Sequence, residues 1–265
     1  MWMQLSALIA ALVLAVATGG GTACSSTQPR AAAPTTASTA PSTGSTPTPT
    51  ARQTVLPFAE LDSPNRVAVD AAGTVYVVDA CPTLEVCRVR PDRVLKLAAG
   101  SSTQTVLPFT GISKFSSMAV DSGGTVYVIG ARNNRVVKLA AGSITHTALP
   151  FTDLTNPRGV AVDATGSVYV VDRNRVVKLA AGTDTQTALP FTDLNRPIDV
   201  AVGTAGNVYV LDGTNRVVKL AAGSNVQTVL PFAGLDGPQS VAVDTAGNVY
   251  LADWGHVRVL KLAAA

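Results

Sequence analysis

The chain has 265 residues, of which 20 are basic and 17 are acidic, and its formal net charge is +3. Two of the basic residues, Arg30 and Arg52, precede the repetitive part of the sequence, which is therefore almost neutral. This balance excludes a bulk electrostatic attraction to nucleic acid or to anionic lipid headgroups, so we expect no nucleic-acid partner.

Residues 1–23 are predicted to be a signal peptide. Residues 5–17 form an apolar run without charges that is shorter than the ~20 residues of a membrane-spanning helix. The following Gly21-Thr22-Ala23-Cys24 resembles the lipobox of bacterial lipoproteins, in which the cysteine is acylated and becomes the first mature residue. We therefore predict lipidation (palmitate) at Cys24 and anchoring to the outer face of the cell membrane. Small residues before Cys24 also suit ordinary signal peptidase, so secretion is the alternative.

Residues 24–53 are predicted to be a disordered linker, because they consist mostly of Ser, Thr, Pro and Ala and cannot bury a core. Such a segment would act as an extended stalk that holds the rest of the chain away from the membrane. O-glycosylation of its threonines is an open question.

Cys81 and Cys87 lie together in an insertion of the first repeat and are predicted to form a disulfide, as suits an exported protein. Pairing them leaves Cys24 alone, which favours its lipidation. The other interpretation, half of a metal site, lacks a second cysteine pair and a nearby histidine in the sequence. We expect no metal and no cofactor.

Five copies of a unit of roughly 41 residues fill the chain from Thr54 to its end. Each copy reads TVLPF, VAVD, VYVVD and RVVKLAAGS with variations, and each has one central tyrosine: Tyr76, Tyr127, Tyr169, Tyr209 and Tyr250. Four short strand-like segments per unit predict the blades of a β-propeller. The VAV and VYVV segments are apolar throughout, as in strands covered on both faces. Proline in TVLPF places that strand at the outer edge of each blade.

The order of segments predicts how the ring closes. The array begins with the outer-strand sequence Thr54–Phe58 and ends, at Leu262, with the third strand of the last unit. The fold class is therefore all-β, a propeller of five four-stranded blades over residues 54–265, closed when the N-terminal outer strand pairs with the last blade. Closure of this kind would remove the open sheet edges.

The third unit shows the resemblance to a known family best. Its segments PRGVAVD (157–163), GSVYVVD (166–172) and NRVVKL (174–179) resemble NHL repeats. All five units are similar to the extracellular sensor propeller of mycobacterial receptor-type serine/threonine kinases. The resemblance implies an extracytoplasmic binding propeller. That sensor has six blades, whereas five are counted here, and Gly130 and Gly203 replace two repeated aspartates.

Variation between the units is concentrated in loops that a propeller places at one end of its ring. Variable side chains on a constant scaffold are typical of a binding site, although neutral drift gives the same pattern. We expect a monomer that binds a protein or cell-wall ligand through this end, with Trp254 as the anchor. The candidate residues are Arg66, Phe115, Arg158, Asp199, Gln239, Trp254 and His256.

A catalytic constellation is not recognisable in the sequence. The two histidines, His146 and His256, are predicted to lie at opposite ends of the ring, and no nucleophile–base pair is evident. We therefore predict a protein that is not an enzyme. The alternative is an enzyme similar to the streptogramin lyases or lactonases, which also have propeller folds, and a structural spacer of the envelope is a third hypothesis.

Overall fold

A computed structural model describes residues 56–81, 91–110, 114–130, 133–256 and 258–264. The chain forms strands and turns throughout this part, which confirms the all-β fold class. None of the described residues belongs to a helix that is long and apolar enough to cross a membrane. Residues 1–53, including Cys24, lie outside the described residues, so the signal peptide and the linker stay predictions.

The strands form five antiparallel sheets, which are the five predicted blades of a propeller. Blade 1 contains β1 (Pro64–Val69), β2 (Val75–Asp79), β3 (Arg93–Leu97) and β4 (Gln104–Val106). Blade 2 contains β5 (Phe115–Val120), β6 (Val126–Gly130), β7 (Arg135–Leu139) and β8 (Thr147–Ala148). Blade 3 contains β9 (Pro157–Val162), β10 (Val168–Asp172), β11 (Arg175–Leu179) and β12 (Gln186–Ala188). Blade 4 contains β13 (Asp199–Val202), β14 (Val208–Asp212), β15 (Arg216–Leu220) and β16 (Gln227–Val229), and blade 5 contains β17 (Pro238–Val243), β18 (Val249–Asp253) and β19 (Arg258–Leu262).

The turn between the first two strands of a blade is built on the repeated aspartate of VAVD. In blade 3, Asp163 Oδ1 accepts the amides of Thr165 and Ser167 at 2.9 and 3.0 Å, and Oδ2 accepts the Tyr169 hydroxyl at 2.9 Å. Burial alone would raise the pKa of the Asp163 carboxyl, but these bonds outweigh it and lower the pKa below its ordinary value. Gly166 completes the turn with a φ of 85°. Asp163 therefore has a structural role in this turn.

The same pairing recurs in other blades, with one exception. The hydroxyls of Tyr76, Tyr127 and Tyr250 donate to Asp70, Asp121 and Asp244 at 2.9–3.2 Å. Burial and the charge of Asp121 raise the pKa of Tyr127 to about 12. In blade 4 Gly203 takes the place of the aspartate, as the sequence indicated.

Buried apolar clusters join each blade to the next one. The tyrosine of one blade and the valines of its neighbour belong to the same cluster, as Tyr169 of blade 3 does with Val200, Val208 and Val210 of blade 4. Equivalent clusters join blades 1 and 2, blades 2 and 3, and blades 4 and 5. Both faces of the central strands are therefore covered, which explains why VYVV has no polar face.

The junction between blades 5 and 1 differs from the other four in the described part of the chain. No buried cluster of described residues joins these two blades, and Tyr250 is partly exposed where the four other tyrosines are buried. Blade 5 has three described strands. Thr54 and Val55, which are predicted to supply the fourth, lie outside the described residues, and residues 56–58 form no strand. Closure by the N-terminal strand therefore stays a prediction.

Candidate functional site

The topology collects the variable loops at one end of the propeller, which we call the variable end. It consists of the loops that lead into the first strand of each blade (leading loops) and the loops between second and third strands. The turns of the repeated VAVD aspartates lie at the opposite end, because successive strands are antiparallel. His146, between β7 and β8, also belongs to that opposite end, whereas His256, between β18 and β19, belongs to the variable end.

A buried aspartate at the end of the second strand holds each leading loop in place. In blade 3, Asp172 Oδ1 accepts the amides of Thr155 and Asn156 at 2.9 and 2.7 Å. Its Oδ2 accepts Nε and Nη2 of Arg175, the residue directly opposite on β11, at 3.3 and 3.1 Å. Arg175 also donates to the Asp153 carbonyl at 2.7 Å. One carboxylate thereby binds both the leading loop and the third strand.

Three further blades repeat this arrangement. Asp79, Asp212 and Asp253 are each at most 2% exposed and bind an arginine of the third strand together with at least one amide of the leading loop. Blade 2 has Gly130 opposite Arg135, so it lacks this carboxylate. Among the described residues, neither the Arg135 side chain nor the Lys114 amide has a hydrogen-bond partner.

One repeat position of the first strands lies at the mouth of the ring, on the side of the variable end. The residues at this position are Arg66, Ser117, Gly159, Asp199 and Ser240. Asp199 Oδ2 accepts the Ser240 hydroxyl at 2.8 Å and the Val241 amide at 3.1 Å, which links blade 4 to blade 5. Ser117 Oγ accepts the Val160 amide at 3.1 Å and links blade 2 to blade 3 in the same way. A Cβ at Gly159 would lie 2.8 Å from the Cα of Asp199, so only glycine allows this approach of β9 and β13.

The pKa of the Asp199 carboxyl differs from its ordinary value. Asp199 is partly buried where β9 approaches β13, and this burial raises its pKa above the ordinary value. The Ser240 hydroxyl, the Val241 amide and the positive charge of Arg66 act in the opposite direction without outweighing burial. Arg66 itself is exposed and donates from Nη1 to the Asn65 carbonyl at 2.8 Å.

Trp254 presents a large aromatic side chain at the variable end, 46% exposed. Its ring packs over Gly237 of the leading loop, where an added Cβ would lie 3.8 Å from the Trp254 Cε3 atom. The next residue, Gly255, donates its amide to the Asp236 carbonyl at 2.8 Å, and a Cβ there would collide with Asp236. The backbone on both sides of this contact is thus fixed, while the ring remains accessible.

His256 lies beside Trp254, and its Nδ1 is 3.0 Å from Oδ2 of the buried Asp253. Arg258 donates to the same oxygen at 2.8 Å. Burial alone would raise the pKa of the Asp253 carboxyl, but the bonds from the Asp236 amide, Arg258 and His256 lower it below its ordinary value. This carboxylate anchors the loop.

The prediction that Phe115 belongs to the binding face is wrong for its side chain. Phe115 is 5% exposed, and its ring contacts Phe109 edge-on with 5.9 Å between ring centroids. It occupies the position that Pro157 and Pro238 hold in other blades, where the side chain points into the core and is buried. Its amide donates to Asp92 Oδ2 at 3.2 Å, and Asp92 Oδ1 accepts the Cys81 amide at 2.9 Å.

The other candidates lie at the variable end. Gln239 is exposed and Arg158 is partly exposed. The predicted disulfide stays a prediction, because Cys87 lies outside the described residues.

A cavity at the boundary of blades 3 and 4 contains residues that the sequence reasoning missed. It has a volume of about 320 Å³ and is lined by Asn156, Arg158, Arg173, Asn174 and Arg196. Only Arg158 was a candidate. An adjoining open cavity of about 450 Å³ shares Arg173 and Asn174 and reaches Asp153, Thr155, Asp172 and Arg175. Among the described residues, no group of three or more His, Cys, Asp or Glu side chains is arranged to hold a metal ion.

The sequence is similar to that of a known kinase over one short stretch. Over 69 residues it is 54% identical to the serine/threonine-protein kinase PknD of Mycobacterium tuberculosis, in the strains CDC 1551 / Oshkosh and ATCC 25618 / H37Rv. The stretch covers 25% of this chain and 9% of the kinase. The chain therefore spans only a small part of the length of these relatives. The predicted resemblance to the mycobacterial kinases is confirmed. No protein-family model matches the chain.

Solved structures share the fold at low sequence identity. The nidogen/laminin complex aligns with a TM-score of 0.63 and 20% identity over 74% of this chain and 74% of the matched chain. Virginiamycin B lyase from Staphylococcus aureus aligns with a TM-score of 0.55 and 16% identity over 77% and 67%. A streptogramin B lyase aligns with a TM-score of 0.58 and 11% identity over 81% and 72%. At these identities the likeness concerns the fold alone.

We predict that Asp199→Asn changes the pH dependence of stability in a defined direction. Because the folded-state pKa of Asp199 is raised, its contribution to stability is fully present below the unfolded carboxyl pKa of about 3.9 and is lost as pH rises through the folded-state value. The free energy of unfolding of Asp199→Asn, relative to the parent protein, should therefore increase from pH 3 to pH 8 in urea titrations.

Asp163→Asn is the matched control, because the pKa of Asp163 is lowered and its contribution is instead lost as pH falls. Its relative free energy of unfolding should decrease over the same pH range. Equal slopes for the two variants would contradict the electrostatic description of Asp199 at the mouth of the ring.

Proposed function

We propose that the protein is a non-enzymatic, extracytoplasmic binding propeller that recognises a protein or cell-wall ligand through its variable end. The observation that carries this proposal is the exposed Trp254 on a backbone fixed by Gly237, Gly255 and a buried aspartate. Large aromatic side chains on rigid supports are characteristic anchors of protein interfaces. The similarity to a serine/threonine-protein kinase supports a sensor-type role for such a propeller.

The second candidate is an enzyme, which the likeness to two lyase structures favours. Against it, His256 is the one described histidine at the variable end, and its Nδ1 contacts a carboxylate that already binds Arg258 and a loop amide. A general base needs a reacting group within hydrogen-bond reach. We find no nucleophile beside His256 in the described part of the chain.

The proposed location is the outer face of the cell membrane, with a lipid on Cys24 as the anchor and a propeller that acts as a monomer. The support is the lipobox-like sequence around Cys24 and the odd number of cysteines, three, of which only two can pair within the chain. Secretion after cleavage at the same place is the alternative.

Mass spectrometry of the protein purified from its native membrane tests the anchor. We expect a mature chain that begins at Cys24 and is heavier than its sequence by a diacylglycerol and a fatty acyl group. Cys24→Ser should abolish this added mass and release the protein into the soluble fraction. An unmodified Cys24 in the native protein would contradict the lipoprotein proposal.

We predict that Trp254→Ala weakens ligand binding at least about tenfold, as is typical when an interface anchor is removed. The full mature protein would be crosslinked to envelope fractions, and the captured ligand would then be titrated against the parent and the variant. Ile144→Ala is the matched control, since Ile144 is 82% exposed and lies in the turn between β7 and β8 at the opposite end.

The parent and both variants should have the same thermal stability, so that a loss of binding reports on the surface. Equal binding by the parent and Trp254→Ala would remove the variable end of blade 5 from the proposal. Turnover of a streptogramin or a lactone by the parent protein would replace the binding function with the enzymatic one.

A further inference from the structure

The cavity between blades 3 and 4 is lined by several positively charged side chains, although the net charge of the whole chain is only +3. Three arginines line it, Arg158 from β9, Arg173 from the β10–β11 turn and Arg196 from the leading loop of blade 4. Two asparagines, Asn156 and Asn174, complete the lining. Residues separated by up to 40 positions in the sequence thus meet around a volume of about 320 Å³.

These three arginines differ from the arginines of the repeat. The repeated arginines of the third strands bind the buried aspartates, as Arg175 binds Asp172. In contrast, the side chains of Arg158 and Arg196 make no hydrogen bond or ion pair to any described residue. Arg173 donates its Nε to the Thr155 hydroxyl, which orients the guanidinium without neutralising it.

Two of the cavity arginines lie on tightly turned loop backbone, and the two loops are bonded to each other. Arg173 and Arg196 have φ values of 54° and 49°, in the left-handed region that favours glycine and asparagine. The Arg196 amide donates to Asn174 Oδ1 at 3.1 Å, which joins the two loops. Gly213 of the β14–β15 turn allows the leading loop of blade 4 to lie close to it, because a Cβ there would lie 2.8 Å from the Arg196 carbonyl oxygen. Six other described non-glycine residues, including Lys114 of blade 2, also have positive φ values, so this conformation is a general feature of the loops between the strands.

Acidic groups near the cavity do not cancel its charge. Asp172 is fully buried and paired with Arg175, and Asp153 lines the adjoining cavity but not this one. The backbone of Asp199 lies against Gly159, but its carboxylate accepts hydrogen bonds from Ser240 and Val241 of blade 5. None of these three carboxylates accepts a hydrogen bond from the cavity arginines.

Building on the proposed binding function, we infer that this cavity is an oxyanion site, in which Arg158, Arg173 and Arg196 bind a phosphoryl group of the ligand. The planar guanidinium group matches the oxygens of phosphate with paired hydrogen bonds. Asn156 and Asn174 supply amide groups that can donate to the same anion. Its open volume suits a charged group at the end of a larger molecule, either a soluble phosphate compound or a phospholipid headgroup.

The test is a titration of the full mature protein with inorganic phosphate and pyrophosphate, followed by NMR or calorimetry at low salt. We expect saturable binding that weakens as the salt concentration rises. Arg158→Gln and Arg196→Gln should each weaken it at least about tenfold, because each removes charge-assisted hydrogen bonds. Both variants should keep the parent's thermal stability, since neither side chain has a bond to lose among the described residues.

Lys114→Gln is the matched control, because it removes the same charge from an exposed residue of the variable end in blade 2. It should leave the affinity for phosphate unchanged. A second arm uses Cys24→Ser protein, which cannot carry the lipid anchor, and compares vesicles of phosphatidylglycerol with vesicles of phosphatidylcholine. Arginine-dependent binding to the former alone would identify a headgroup as the source of the anion.

No binding in either arm, or equal losses for Lys114→Gln and Arg196→Gln, would overturn the oxyanion site. This outcome is separate from the proposed function, because capture of a ligand through Trp254 does not require the cavity. Conversely, phosphate binding that depends on the arginines would persist in Trp254→Ala.

Discussion

The carboxylate at the end of the second strand determines how the repeat presents its loops. Asp172 and its equivalents are buried, yet each one binds an arginine of the third strand and amides of the leading loop. A buried charge is costly unless it is paired and its oxygens accept hydrogen bonds. The bonds of Asp172 to the arginine and the loop amides meet that requirement, and they constrain three segments of the blade at once.

This constraint explains how a nearly uniform repeat can carry a specific surface. The apolar clusters between blades use residues that recur in every unit, such as the central tyrosine and its neighbouring valines. The variable end uses residues that occur once, such as Trp254 and Arg173. Because the repeated carboxylates fix the loop backbones, the single residues can vary without loss of the fold.

Most of the fold was predictable from the sequence because its signals are repeated. Five tyrosines at a period of roughly 41 residues predicted five blades, and the structure has five sheets. Phe115 was misplaced because it belongs to a variable leading segment, which suggested a surface role. Aligning KFSS with NPRG would have placed Phe115 opposite the buried Pro157 and indicated a core residue.

The arginine cavity was not predictable in the same way. Arg158, Arg173 and Arg196 belong to three different loops or strands, and only the packing of blade 3 against blade 4 brings them together. One signal was available, since none of them is one of the repeated arginines or lysines of the third strands. That signal identifies residues without a structural role in the repeat, but their proximity follows from the three-dimensional arrangement alone.

Native-state hydrogen exchange tests the central claim most directly, because it reports the stability of individual backbone hydrogen bonds. The account predicts that the amide of Asn156, bound by Asp172 at 2.7 Å, exchanges as slowly as the amides of the strands it adjoins. The amide of Lys114, at the same position of blade 2 where Gly130 replaces the aspartate, should exchange far faster. Equal exchange at Asn156 and Lys114 would show that the buried carboxylates do not hold the leading loops.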